Sequence, residues 1–145
     1  MRLLLHGLIV LAACSPGDAR DGTAQLPVVS SAPVDVAPLN ELVEEARAVG
    51  EAWIESPTLV ALRVIGGDSE VRELTLTATA NRTEAADSSV VILTRDGFLD
   101  DSVRGDWHRL VLVRVEDGAW HVVEAERAQT CWRGGTDSYS ADPCS

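Results

Sequence analysis

The chain has 145 residues, a formal charge of −11 at neutral pH and no lysine. This length holds one domain. So acidic a chain repels phosphate, which excludes nucleic acid as a partner and favours cationic ones.

The N-terminus stands apart from that domain. Arg2 precedes an apolar run, Leu3 to Ala13, that is too short to span a bilayer and has the form of a secretory signal. The junction Leu11-Ala12-Ala13-Cys14 resembles the lipobox of bacterial lipoproteins. The resemblance implies removal of residues 1–13 and lipidation of Cys14, which then anchors the chain to a membrane. Several acyl chains on one residue hold stably, since each buried CH₂ contributes about 0.8 kcal/mol. Ser15, not Asp, follows the cysteine; in lipoproteins of diderm bacteria this implies transport to the periplasmic face of the outer membrane. Losing Arg2 with the signal leaves 11 basic and 23 acidic residues, a formal charge of −12. The tether, not the surface, must then hold the domain to anionic lipid.

Residues 15–37 are rich in Pro, Ser, Ala and Gly and have no helical or strand period. The stretch 14–37 therefore reads as the lipidated cysteine and a flexible linker, and 38–145 as one globular domain. Pro38 to Glu55 reads as an amphipathic helix, with Leu39, Leu42, Val43, Ala46, Val49 and Trp53 on its apolar face. Asn40 is a candidate N-cap, or Pro38 a first helical residue, and Glu41, Glu44 and Glu45 suit the helix dipole. Ser56-Pro57 ends the helix.

Strands are expected next. Thr58 to Ile65 is an apolar run stopped by Gly66-Gly67-Asp68-Ser69. Glu70 to Ala80 alternates, with Leu74, Leu76, Ala78 and Ala80 on one face and threonines on the other, as a strand with one solvated face does. Ser89 to Thr94 is a short third strand. The loop Arg95 to Asp106 holds Asp96, Asp100, Asp101 and Asp106 around Phe98 without the spacing of a calcium loop, so it reads as solvated with Phe98 turned inward.

Asp106 to Cys144 organises the rest. Asp117-Gly118 between two apolar runs predicts a two-residue type I′ hairpin. Its register sets Glu116 against Ala119, Val113 against Val122, Val111 against Glu124 and Arg109 against Glu126. Both hairpin faces are apolar at mid-length, which predicts a helix over one and a loop or ligand over the other. Arg109 and Glu126 form a cross-strand ion pair, or a polar element that orients a ligand. With Cys14 assigned to lipid, Cys131 and Cys144 remain as an even pair for a disulfide in an oxidising compartment. That bridge stabilises by about 3 kcal/mol in the chain-entropy picture.

The fold class read from this order is α+β: one N-terminal amphipathic helix on an antiparallel sheet of about five strands, closed by a C-terminal disulfide loop. The order resembles cystatin-like and NTF2-like topologies. Asp96-Gly97, Asp100-Asp101-Ser102-Val103-Arg104-Gly105, the hairpin, Cys131 and Pro143-Cys144 resemble a family of small exported bacterial proteins of uncharacterised function. Where that family carries a Gly-Arg-Gly-His-like run in its cysteine loop, this chain has Gly134-Gly135-Thr136-Asp137. The resemblance implies no activity.

A search for chemistry finds little. No serine sits in a G-x-S-x-G elbow, and His108 and His121 fall far apart along the hairpin, so they share neither a metal nor a proton. No enzyme, cofactor or metal site is expected. The predicted contact residues are Trp132, Arg133, Asp137 and Tyr139 in the cysteine loop, with Arg109 and Glu126 on the sheet. The expected function is a lipid-anchored envelope module binding a protein partner or small ligand. The alternatives are an acidic inhibitor of a basic hydrolase such as lysozyme and, with least support, a small enzyme.

Overall fold

The computed structural model describes residues 25–66, 70–134 and 137–145. The expected signal, Cys14 and the first part of the expected linker lie outside the described residues. The order is β1 (Ala32–Pro33), α1 (Ala37–Ala48), a 3₁₀ turn (Ala52–Glu55), α2 (Pro57–Gly66), β2 (Glu73–Ala80), β3 (Ser88–Asp96), β4 (Val103–Arg114) and β5 (Trp120–Cys131). The strands form one antiparallel sheet in the order β1-β5-β4-β3-β2. The α+β class and the five strands are as expected, but one of the strands is not the expected one.

Thr58 to Ile65 is helix, not strand. Pro57 occupies the first helical position of α2, and the N–H of Leu59 donates to Ser56 Oγ at 3.4 Å. Ser-Pro is therefore a helix start as well as a stop. Val60 and Ala61 are fully buried, and Val64 and Ile65, one turn on, pack against the same core. Spacing of four, not two, decided the run. The fifth strand is instead β1, inside the stretch expected to be linker; Ala32 pairs with Arg127 and Pro33 with Glu126.

The first helix is shorter than its apolar period suggested. Gly50 has φ +75°, its N–H donates to Arg47 O at 3.2 Å, and the N–H of Glu51 donates to Ala46 O at 3.0 Å. This is a Schellman ending, and it stops α1 two residues before Gly50. Because α1 starts at Ala37, its first turn holds no acidic residue. Asn40 is not its N-cap; Asp35 Oδ1 instead accepts from the N–H of Ala37 at 3.0 Å. Asn40 reaches the edge of β5, donating to Val122 O at 2.8 Å and accepting from Val122 N–H at 2.9 Å. Its amide replaces a missing neighbouring strand.

The hairpin register holds from His108 to Val111 and fails nearer the turn. Val115, not Glu116, pairs with Ala119, and the N–H of Gly118 donates to Val115 O at 2.9 Å. Glu116 and Asp117 occupy a turn and Gly118, φ +94°, follows it, giving a three-residue loop. A bulge at Val123 absorbs the offset: Leu112 pairs with Val122 but Val111 with Glu124. Trp120 and Val122 therefore face the helices, not the Arg109 face. The Trp120 indole donates to Glu55 O at 3.1 Å.

The main core lies between that sheet face and the helices. Val43, Val60, Ala61, Val91, Leu110, Leu112, Trp120 and Val122 are its centre. The opposite face carries a smaller cluster, Trp107, Ala128 and Tyr139, with Leu26 and Ile92 packed against it. The cover expected on the second face is thus the chain itself, since Val28 bridges to Tyr139.

Candidate functional site

The disulfide loop begins where β5 ends. Cys131 and Cys144 are joined, with their Cα atoms 5.6 Å apart. Trp132 follows immediately and is 46% exposed. Its N–H donates to Ser102 O at 2.9 Å, and the Arg104 guanidinium lies over its ring, 5.9 Å from the centroid. Arg104 Nε donates to Asp96 Oδ1 at 2.9 Å, and its Nη1 lies 3.2 Å from Asp137 Oδ1. Arg72 brings a second cation to Asp96 at 2.9 Å. Burial pushes the Asp96 carboxyl up, but hydrogen bonds from Arg104 and Arg72 outweigh it and hold the carboxyl below its ordinary value.

Trp132 and Asp137 are therefore brought together around Arg104, which was not among the expected contact residues. Arg133 is exposed beside them. Tyr139 is not a surface contact: it is 4% exposed and packs on Trp107. The sequence marks it only as an aromatic, and an aromatic serves a core as readily as an interface. Burial pushes its phenol up. Arg109 and Glu126 lie elsewhere, five residues along β4 from Arg104, which is about 16 Å at ~3.3 Å per residue. Arg109 contacts Glu124 at 3.1 Å and Glu126 at 3.5 Å, and Glu126 also accepts from Ser31 Oγ at 3.2 Å. These groups are partly exposed, so the expected ion pair is present at the surface.

A second polar group went unpredicted. On the helix-facing side of the sheet, beyond the end of α2, Arg95 pairs across the strands with Asp106. Arg95 is 8% exposed. Its Nε and Nη2 donate to the two oxygens of Asp106 at 2.9 and 2.5 Å, and its Nη1 donates to Gly66 O at 2.6 Å. One guanidinium thus ties the C-terminus of α2 to the sheet, where a cation also suits the helix dipole. Phe98 lies against Arg95, 5.2 Å from ring centroid to guanidinium carbon. Asp106 Oδ2 is 3.0 Å from His108 Nε2. Burial pushes the Asp106 carboxyl up, but Arg95 and His108 together hold it below its ordinary value. His108 and Asp106 border a cleft of about 430 Å³, with Arg127 and Gln129 on β5 and Ser140 and Pro143 from the disulfide loop.

This arrangement can hold polar groups. Base catalysis needs more: among the described residues His108 meets only Asp106 in a hydrogen bond, and none of their hydroxyls or thiols is bonded to it as a nucleophile. Among the described residues no three His, Cys, Asp or Glu side chains are placed to hold a metal. Asp100, in the acidic loop, is engaged in a turn, where it accepts from the N–H groups of Ser102 and Val103 at 2.7 and 2.6 Å; these bonds lower its carboxyl pKa. The two histidines have separate partners, His121 lying 2.8 Å from Glu44. None of the described helices is long and apolar enough to cross a membrane. No family model, no curated protein and no solved structure matches this chain.

Proposed function

We propose that this chain is a lipid-anchored protein of the bacterial envelope whose folded domain is an interaction module, not an enzyme. The observation that carries the reading is Trp132, half exposed on a disulfide-closed loop and backed by Arg104. Tryptophan and arginine held rigidly at a surface are the residues that most often dominate binding energy. The disulfide suits an oxidising compartment; lipidation of Cys14 and the periplasmic face of the outer membrane rest on the resemblance of Leu11-Ala12-Ala13-Cys14 to a lipobox and on Ser15 after it. The cleft beside His108 gives the same loop a second, polar surface for a small ligand.

Two experiments test this. Cys14→Ala releases the chain from membranes into the soluble fraction if lipid is the anchor; continued membrane partition removes the anchor from the reading. In-cell crosslinking with the full lipoprotein, read by mass spectrometry, captures an envelope partner that Trp132→Ala loses. A partner retained by Trp132→Ala moves the contact surface away from this loop. The formal charge of −12 after processing favours a second reading, inhibition of a basic hydrolase such as lysozyme. Binding of that kind weakens steeply as salt rises.

A further inference from the structure

The two edges of the sheet are treated differently. The β5 edge is closed by three devices: the two-residue strand β1, the Asn40 amide on Val122, and paired hydrogen bonds between Gln129 and Ser140. Among the described residues the β2 edge has no such cover. It is eight residues long, Glu73–Ala80, and all but Thr75 and Leu76 are exposed. It contains no proline and no bulge against β3. Its one charge is Glu73, at the very start. Natural edges of this length usually carry an inward charge, a proline or a bulge, because an unprotected edge is a template for another strand.

The direction of the free backbone groups follows from the β2–β3 register. The N–H of Asn81 donates to Ser88 O at 3.1 Å, so in this ladder the odd-numbered residues exchange bonds with β3. The N–H and C=O groups of Leu74, Leu76, Ala78 and Ala80 then point away from the sheet. We propose that this edge pairs with the same edge of a second copy of the chain, antiparallel, about a two-fold axis through Thr77.

One register uses all four outward residues. Leu74 faces Ala80 of the second copy, and Leu76 faces its Ala78, each as a hydrogen-bonded pair. Thr75 faces Thr79, and Thr77 faces Thr77. A two-fold axis perpendicular to the sheet keeps both helical layers on one side and matches like with like: aliphatic pairs on the helix side, threonine pairs on the other. Moving the centre to Leu76 leaves Ala80 without a pair inside the strand. The partner is a second copy, not an unrelated peptide, because the strand is complementary to itself in this register and carries no charge between Leu74 and Ala80. Leu74, 45% exposed, is covered in the pair.

The acidity of the chain gives the proposal a signature. Two copies repel each other through the rest of their surfaces, while the shared edge is neutral. Salt screens the repulsion and leaves the backbone bonds intact. Dimerisation therefore strengthens as salt rises, opposite to an interface built on ion pairs.

The decisive experiment is cysteine crosslinking of the full chain in membranes. At a non-hydrogen-bonded antiparallel pair the Cα atoms lie about 4.5 Å apart, within disulfide range. Thr77→Cys should give a covalent dimer on mild oxidation, beyond any seen for the parent chain, and more of it at high salt. Leu99→Cys, 83% exposed in a loop away from the edge, should not. Thr75→Glu added to Thr77→Cys places a further negative charge opposite Thr79 of the second copy, on an edge that is otherwise neutral between two acidic chains, and should lower the crosslinked fraction several-fold. No Thr77→Cys dimer, or equal crosslinking through Leu99→Cys, overturns the proposal. So does a crosslinked fraction that Thr75→Glu leaves unchanged or that falls as salt rises.

Discussion

The helix-facing side of the sheet is held in two different ways along its length. Near the hairpin turn, the side chains of Val91, Leu110, Leu112 and Val122 meet α1 and α2 through apolar contact, and the Asn40 amide adds its two hydrogen bonds to the Val122 backbone. Toward the other end, the same face turns ionic, and Arg95, Asp106 and His108 carry the load that hydrocarbon carries above them. Apolar packing is tolerant, since volume can be redistributed among neighbours. A buried ion pair is not, since removing one partner strands the other charge away from water. The ionic end should therefore be brittle and the apolar end forgiving.

The largest effect tests that brittleness. Asp106→Ala leaves Arg95 buried without its carboxylate and should cost about 3–5 kcal/mol, the usual penalty for breaking a buried pair. Urea unfolding followed by tryptophan fluorescence measures it. Replacing both partners, Arg95→Met with Asp106→Leu, should recover most of that loss, because the desolvation cost of both charges disappears together. If the double variant is no more stable than Asp106→Ala, the bond from Arg95 to Gly66 O at the end of α2 matters more than the pair itself.

The apolar end sets the comparison. Leu110 is fully buried, so Leu110→Ala should cost about 2–5 kcal/mol. Leu110→Met, which nearly conserves volume, should cost less than about 1.5 kcal/mol. A Leu110→Met as damaging as Asp106→Ala would erase the distinction between the two ends.

This division also explains what the sequence could and could not reveal. The α1 stripe, the alternation in β2 and the hairpin were legible because apolar residues repeat with the period of their element, but of the α1 stripe only Leu39, Val43 and Ala46 meet the core from the helix, while Leu42 and Val49 are exposed and Trp53 falls in the 3₁₀ turn. The turn of the hairpin was displaced by one residue because Asp117-Gly118 suits a two-residue and a three-residue loop alike, and nothing local marks Val123 as the compensating bulge. Val60 and Ala61 with Val64 and Ile65 carried a helical period, but a short β-branched run also suits a strand; Ser56-Pro57 as a helix start was the signal that separates them. β1 was unreadable, since two residues have no period. The Arg95–Asp106–His108 group was hidden because its members come from two strands, and only the β3–β4 register makes them neighbours. Arg109–Glu126 was found because one hairpin supplied its register. Tyr139 was misread because nothing local tells a buried aromatic from a contact one.

Acid separates the two ends more gently. In the folded chain the carboxyls of Asp106 and Asp96 lie below their ordinary value, so the unfolded chain takes up their protons first as pH falls. Their contribution is complete above the unfolded carboxyl value, about 3.9. It is lost as pH drops from there through the folded values. Asp106→Ala should flatten the acid limb of the stability curve, because one linked proton is gone. Leu110→Ala should lower the whole curve and keep its slope. Parallel curves for wild type and Asp106→Ala would mean that the ionic end does not govern acid unfolding.

The smallest effect isolates backbone from contact at the apolar end. Gly50 closes α1 at φ +75°, and a Cβ placed there meets nothing within 4 Å. Gly50→Ala therefore adds no clash and removes no packing. Its cost is the left-handed conformation alone, about 1–2 kcal/mol for a residue with a Cβ. Gly50→Asn should recover part of that cost, because Asn enters the left-handed region more readily. The two variants should differ in thermal midpoint while their near-ultraviolet circular dichroism, to which the four tryptophans and Tyr139 contribute, stays that of the wild type. A changed tryptophan spectrum in Gly50→Ala would show that the turn also positions Trp53 and the 3₁₀ segment. In that case the forgiving end of the sheet depends on a backbone feature as exacting as the ion pair at the other.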